Sequence, residues 1–160
     1  MPRRIDLWTH VRKCDKNAEL KRKLLAANPL TAAGHTYDFS GTLRPGRISP
    51  ALLATIRVVQ ATADELPVIA RAFEGAIVSV RNERATYAAL IELVRQRQGT
   101  RFVLDDDRKA LAAAIATGAS SEDRKLMALT VRVSEGNLLR STLELLSRLQ
   151  QKLGECDVHT

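Results

Sequence analysis

Several residue types that point to particular protein classes are scarce in this sequence. Its 160 residues include only two cysteines, Cys14 and Cys156, without the spacing of a C-x-x-C pair. Two isolated cysteines give no disulfide framework, so we expect both to be reduced. Aromatic residues make up 4% of the chain, which disfavours a β-sandwich or a cavity-lined enzyme core. With abundant alanine and leucine, this composition predicts an all-α fold.

Long apolar runs are also missing. No stretch approaches the roughly 18 consecutive apolar residues that a membrane span needs. The basic residues at the N-terminus are not followed by the apolar core of a secretory signal. We therefore expect a cytoplasmic protein with no membrane partner, associated with a nucleoid or a virion if it binds nucleic acid.

The familiar catalytic motifs are absent. The sequence has no Gly-x-Ser-x-Gly, no phosphate-binding glycine loop and no His-Glu-x-x-His, and His10, His35 and His159 are scattered. His35 with the nearby Asp38 supplies too few ligands for a metal site. The three aspartates at 105–107 would point about 100° apart on a helix, so we expect them to compensate a helix dipole. We predict a non-enzymatic protein with no catalytic residue, no cofactor and no metal.

What the chain does have is an excess of positive charge, +7 in total, concentrated in its first third. Residues 1–50 contain ten Lys/Arg and four Asp/Glu, whereas residues 51–160 contain fifteen and fourteen. Charge segregated in this way is typical of a cationic arm that binds a polyanion. The sequence therefore predicts a basic arm, residues 1–50, followed by a helical bundle, residues 51–160.

The basic arm begins with a predicted amphipathic helix over residues 5–27. A break at Asp15 stays open, because Asp15 can cap a second segment that carries Glu19 in its first turn. Ten basic residues of the arm form the candidate nucleic-acid-binding set, since ammonium and guanidinium groups bind phosphate oxygens. They are Arg3, Arg4, Arg12, Lys13, Lys16, Lys21, Arg22, Lys23, Arg44 and Arg47.

A long irregular loop over residues 28–49 completes the arm. Asn28 precedes a proline and is therefore displaced from the helical region of backbone space, which ends the helix. Residues 36–39 are compatible with a short extended piece. The Pro45-Gly46 dipeptide predicts a turn that holds Arg44 and Arg47 apart. A loop of this length is typical of a functional segment or a linker.

The rest of the chain predicts an antiparallel bundle of about four helices over residues 50–154. Ser49 and Pro50 start a helix that continues through residues 51–63. The longest helical pattern follows over residues 64–99, with Asp64 as N-cap, and would span roughly 50 Å as one helix. It therefore either kinks near Gly75 or Asn82 or belongs to an elongated assembly.

Two further helices end the predicted bundle. The first covers residues 106–117 and is stopped by Gly118. The second starts at Ser120 or Ser121, has an irregularity at residues 134–136, and ends at Gly154. Its leucine-rich second half is expected to pack against the second half of the long pattern.

Two functions are compatible with this arrangement. The first is a structural nucleic-acid-binding protein of the packaging, coat or nucleoid type. Its arm would hold the phosphate backbone of DNA or RNA with little sequence preference, and its bundle would form a homo-oligomer. The alternative is a helical protein–protein interaction module, such as an adaptor, a chaperone or a secretion-associated protein, whose arm meets an acidic protein surface. We predict the first, because it accounts for the segregated charge.

Overall fold

The computed structural model describes residues 4–6, 15–32, 36–38, 43–44, 46–99, 104–118, 120 and 123–156. Within these residues the chain is helical apart from four short strands and the turns that connect the elements, which confirms the predicted all-α class. No helix among them combines the length and the apolar character that crossing a bilayer requires. In chain order the elements are β1 (Arg4–Asp6), α1 (Ala18–Ala27), α2 (Pro29–Ala32), β2 (Thr36–Asp38), β3 (Leu43–Arg44), β4 (Arg47–Ile48), α3 (Pro50–Gln60), a 3-10 helix (Ala63–Val68), α4 (Ala70–Phe73), α5 (Val80–Gly99), α6 (Leu104–Ala116) and α7 (Arg124–Cys156).

Two small antiparallel ladders lie in the first third of the chain. β1 pairs with β2, with Ile5 opposite Tyr37, and β3 pairs with β4, with Arg44 opposite Arg47. The turn between β3 and β4 includes Gly46, whose φ of 72° is readily adopted only by glycine. The predicted extended piece is thus confirmed as β2, and the predicted turn joins β3 to β4.

The predicted helix over residues 5–27 is wrong at its N-terminal end. Residues 4–6 form β1, residues 7–14 lie outside the described part of the chain, and α1 begins only at Ala18. The Asp15 side chain accepts a hydrogen bond from the Asn17 N–H at 2.9 Å. Such an Asx turn competes with helical hydrogen bonding, so α1 starts just after Asp15, at the break that the sequence left open.

The long helix predicted over residues 64–99 is not continuous. Thr62, rather than Asp64, is the N-cap residue, and its N–H donates to the Glu65 carboxylate at 2.8 Å as in a capping box. This cap starts the 3-10 helix, which is followed by the single turn of α4. Gly75 then adopts a φ of 79°, which ends that turn before α5 begins. Of the two predicted kink positions, the one at Gly75 is observed.

The last two helices pack along each other. α6 and the following Gly118, with a φ of 73°, match the prediction closely, but α7 continues unbroken through residues 134–136 and past Gly154. Gly136 is buried against Leu104, and a Cβ atom there would lie 2.6 Å from Leu104 Cδ1. This glycine therefore permits close helix packing and does not break the helix.

Two clusters of buried apolar side chains form the core. The larger cluster joins α3, α5 and α7, and Leu90, Val94, Leu139 and Leu146 are fully buried in it. The predicted packing of the leucine-rich end of α7 is thus confirmed. The smaller cluster joins α1, α3 and α4, and its buried members include Leu25, Val58, Ile69, Ala72 and Val78.

A buried ion pair links α3 to α5. Arg57 donates to the Glu83 carboxylate through Nε at 2.8 Å and Nη2 at 2.6 Å, with side-chain exposures of 6% and 1%. Asn82 donates to the Arg57 carbonyl at 3.0 Å. Burial, together with the adjacent Glu83 carboxylate, raises the pKa of Tyr87. These contacts fix the first turn of α5, and with it Arg81, against the end of α3.

Candidate functional site

A cleft of about 560 Å³ lies where the start of α1 meets the end of α3 and the first turn of α5. We call it the polar cleft. Its lining combines charged side chains with main-chain groups and is open to solvent, which suits a polar ligand. It is lined by residues 59–63 and by Asp15, Lys16, Asn17, Lys21 and Arg81.

The floor of the polar cleft is formed by Lys21, which is 2% exposed. Its ammonium donates to Asp15 Oδ2 at 2.5 Å and to the Val59 carbonyl at 2.9 Å. The hydrogen bond from Lys21 lowers the pKa of Asp15. The fold thus uses the charge of Lys21 internally and buries its side chain, unlike the solvent-facing position that the sequence predicted.

One wall of the polar cleft is the Arg81 guanidinium, whose side chain is 49% exposed. Its Nε donates to Glu65 Oε1 at 2.9 Å, and its Nη2 donates to the Gln60 carbonyl at 2.7 Å and to Glu65 Oε2. Burial by itself raises the pKa of Glu65, but hydrogen bonds from Arg81, Ser79 and the Thr62 N–H outweigh it and lower that pKa from 4.5 to about 2. The guanidinium is thus held in place by an ionised carboxylate.

The rim of the polar cleft carries Lys16, which is exposed and has no carboxylate partner among the described residues. Next to it, Asn17 occupies the N-cap position of α1 without using its side chain as a cap. The rim therefore adds a cation and an amide to the lining. Both side chains are available to a ligand.

The charged groups in and beside the polar cleft decide which chemistry it can support. Behind Arg81 and outside the cleft lining, the Ser79 hydroxyl donates to Glu65, but a carboxylate with a pKa of about 2 is too weak a base to activate a hydroxyl group near neutral pH. In the ranges that the structure describes, no group of three or more His, Cys, Asp or Glu residues is placed to hold a metal ion. What the cleft offers is positively charged hydrogen-bond donors, which suit an anionic group.

A second depression, of about 550 Å³, lies along α7. Its lining residues all belong to that one helix, so side chains do not converge on a ligand from several sides. They are Arg140, Leu143, Glu144, Ser147 and Arg148. The polar cleft is therefore the better candidate site.

A comparison with known protein families identifies the chain. The profile of the family described as Rubisco LSMT substrate-binding matches residues 12–139. The chain belongs to the Rubisco LSMT substrate-binding family. A search of curated proteins finds no match. The residues matched by the family profile include the whole polar cleft.

Most of the predicted basic residues lie within the match to the Rubisco LSMT substrate-binding family, and Arg3 and Arg4 precede it. Arg3, Arg12 and Lys13 are outside the described residues. The backbones of Arg4 and Arg44 lie in β1 and β3, but their side chains fall outside the described part.

The other basic residues of the arm differ in their surroundings. Lys16, Arg22 and Arg47 are exposed, and within the described ranges none of them pairs with a carboxylate. Lys23 pairs with Glu19 at 2.9 Å, in an exposed contact one helical turn apart. Of the predicted set, the fold brings Lys16 and Lys21 together in the polar cleft.

Arg81 is the functional candidate that the sequence analysis missed. It lies outside the basic arm, in a part of the chain whose charges nearly balance. The capping-box spacing from Thr62 to Glu65 is a local signal for the position of Glu65, the carboxylate that holds Arg81. No local pattern connects Glu65 to Arg81, because tertiary packing brings them together.

Proposed function

We propose that this chain is a non-catalytic substrate-binding module that holds a segment of a protein for a methyltransferase. The observation that carries the proposal is membership of the Rubisco LSMT substrate-binding family over residues 12–139, a family named for the substrate-binding part of a methyltransferase. The all-helical fold and the polar cleft support a binding role. This function corresponds to the protein-interaction alternative derived from the sequence.

Direct binding measurements test this proposal. Unstructured labelled peptides that are glutamate-rich, glutamine-rich or lysine-rich, and intact Rubisco as a folded probe, are titrated with the purified protein. A labelled DNA duplex is titrated in parallel at about 50 and about 200 mM salt. We expect saturable binding of at least one protein or peptide probe at the higher salt. Binding of DNA alone, or of none of the probes, contradicts the proposal.

A second candidate function is the binding of nucleic acid by the basic arm in a packaging or coat role. The observation that favours it is the exposure of Lys16, Arg22 and Arg47 without carboxylate partners among the described residues. This binding would weaken steeply between about 50 and about 200 mM salt, because released counterions drive it. Deleting the arm is a poor test, since Leu25 of α1 belongs to the core. The double variant Arg22→Glu/Arg47→Glu tests it with the core intact.

We also propose that α3, α5, α6 and α7 act as an antiparallel bundle. The pairing of Arg97, near the end of α5, with Glu135 at 2.8 Å supports this arrangement. Arg84, near the start of α5, donates to the Leu153 carbonyl at 3.5 Å, close to the end of α7. The C-terminal end of α5 thus contacts the first half of α7, and its N-terminal end contacts the end of α7, as in an antiparallel pair.

Self-association remains a further proposal. Large apolar side chains on the last two helices are exposed: Ile115 by 62%, Met127 by 48% and Val131 by 48%. Covering such side chains with a second copy would remove apolar surface from water. Sedimentation at tens of micromolar should show a dimer or a larger species, and a strict monomer contradicts this proposal.

A further inference from the structure

We propose that the polar cleft recognises an acidic segment of the bound protein, with Lys16 and Arg81 binding a carboxylate side chain of that segment. The inference rests on the proposed function and adds to it the chemical class of the ligand and the place where it binds. It depends on which charges in the cleft are already engaged and which are not.

Some charged side chains of the polar cleft form ion pairs within the protein, and one has no such partner among the described residues. Lys21 is paired with Asp15, and Arg81 is paired with Glu65. Lys16 adds a cation that no described carboxylate neutralises. The site therefore keeps a net positive charge after its own carboxylates are counted, and an anionic ligand compensates it.

The available hydrogen-bond donors point to a carboxylate. Arg81 uses Nε and Nη2 in its contacts with Glu65 and the Gln60 carbonyl, and its Nη1 makes no hydrogen bond to a described residue. The Lys16 ammonium is exposed on the rim of the same cleft. An ammonium and a guanidinium edge in one cleft suit the two oxygens of a carboxylate.

The size of the polar cleft limits what it accepts. A volume of about 560 Å³ lies within the range of ligand pockets, which is roughly 300–1,000 Å³. It holds one or two side chains and is too small for a folded surface. Because the cleft is open to solvent, the chain that carries those side chains can continue outside it.

The same features favour an acidic peptide over nucleic acid. A phosphate backbone is bound by a row of cations along its length, and affinity grows with the number of phosphates contacted. In the polar cleft, Asp15 neutralises Lys21, and on the neighbouring α1 Glu19 neutralises Lys23. Among the described lining residues Lys16 is thus the one cation without a carboxylate partner, which suits a single carboxylate side chain better than a continuous run of phosphates.

Two charge-matched variants test the inference. Lys16→Glu reverses a charge on the rim of the cleft, and Arg22→Glu reverses one at an exposed position of α1 outside the cleft lining. The readout is fluorescence anisotropy of a labelled glutamate-rich peptide and of the same peptide with glutamine in place of glutamate. Circular dichroism checks that both variants retain the helical fold of the wild type.

We expect the wild type to bind the glutamate peptide and to discriminate against the glutamine peptide. Lys16→Glu should weaken binding of the glutamate peptide about five- to tenfold, and Arg22→Glu less than about threefold. Equal weakening by the two variants, or equal binding of the two peptides, overturns the inference. So does preferential binding of a labelled single-stranded oligonucleotide that both variants weaken alike.

Failure of this inference can be told apart from failure of the proposed function. If the wild type binds Rubisco or another peptide but not the glutamate peptide, the acidic ligand is wrong and the substrate-binding role stands. If the wild type binds no protein or peptide probe at all, the proposed function falls and this inference falls with it.

Discussion

Replacing Glu65 with glutamine should destabilise the fold and loosen one wall of the polar cleft. The Glu65 carboxylate accepts hydrogen bonds from the Thr62 N–H at 2.8 Å, from Arg81 Nε at 2.9 Å and from the Ser79 hydroxyl. A glutamine amide has only one acceptor oxygen, and its NH2 group would face donors. Loss of charge-assisted hydrogen bonds at this buried position should lower the free energy of unfolding by about 3 kcal/mol near neutral pH.

The same carboxylate predicts a pH dependence whose sign follows from its lowered pKa. The pKa of Glu65 falls from 4.5 to about 2 on folding. A carboxylate whose pKa is lowered in the folded state stabilises the protein above its unfolded pKa, and this contribution is lost as the pH falls through the folded pKa. A shift of this size corresponds to about 3 kcal/mol, which we reduce to about 2 kcal/mol because solvent screens the half-exposed Arg81. The wild type therefore loses this contribution from about pH 4.5 downward, and Glu65→Gln has none to lose.

Urea unfolding followed by circular dichroism at about pH 7 and about pH 3 measures both effects. The difference in unfolding free energy between wild type and Glu65→Gln should shrink by at least about 1 kcal/mol at the lower pH. Asp64→Asn is the matched control, since it removes the same charge from the neighbouring, exposed position. A Glu65→Gln variant as stable as Asp64→Asn, or a difference that does not change with pH, refutes the reasoning.

Two further predictions concern a buried ion pair and a close helix contact. Arg57→Met should cost about 3–5 kcal/mol of unfolding free energy, because it leaves the Glu83 charge buried and unpaired. The double variant Arg57→Met/Glu83→Met should cost much less than the sum of the two single changes. Additive costs in urea titrations would show that the two side chains are not coupled. Gly136→Ala should cost about 1–3 kcal/mol, since its Cβ would meet Leu104 Cδ1 at 2.6 Å. A higher melting temperature for Gly136→Ala would mean that the gain in helix propensity exceeds the clash.

The sequence predicted the helical class and much of the core, because both follow from local periodicity. Leu90 and Val94 are four residues apart in one helical pattern, Leu139 and Leu146 are seven apart in another, and their burial follows from that spacing. The interruptions were harder to place, since a glycine within a helical pattern has more than one physical meaning. Gly75 adopts a positive φ and ends a helical turn, whereas Gly136 lies inside a continuous helix and lets α6 approach. Whether a glycine ends a helix or allows a neighbouring helix to approach depends on the residues that pack against it in the folded protein.

The sequence predicted only part of the candidate site, because the partners of its charged side chains are set by tertiary folding. Counting charges along the chain identified the arm, and that count included Lys16. It could not separate Lys16 from Lys21, because the partners of Lys21 include the Val59 carbonyl, which reaches it only through folding. The count also passed over Arg81, which joins the cleft from α5.

The site can be tested by mutation because its three cations differ in their structural roles. Lys21 and Arg81 hold structural contacts, so replacing either changes the fold and the cleft together. Lys16 has no such contact among the described residues, so its charge contributes to the potential of the cleft without a structural role there. A loss of binding on changing Lys16 therefore reports on the ligand itself, and its comparison with Arg22 removes the general effect of net charge. A ligand that depends on Lys16 more than on Arg22 therefore binds at or beside the rim of the polar cleft.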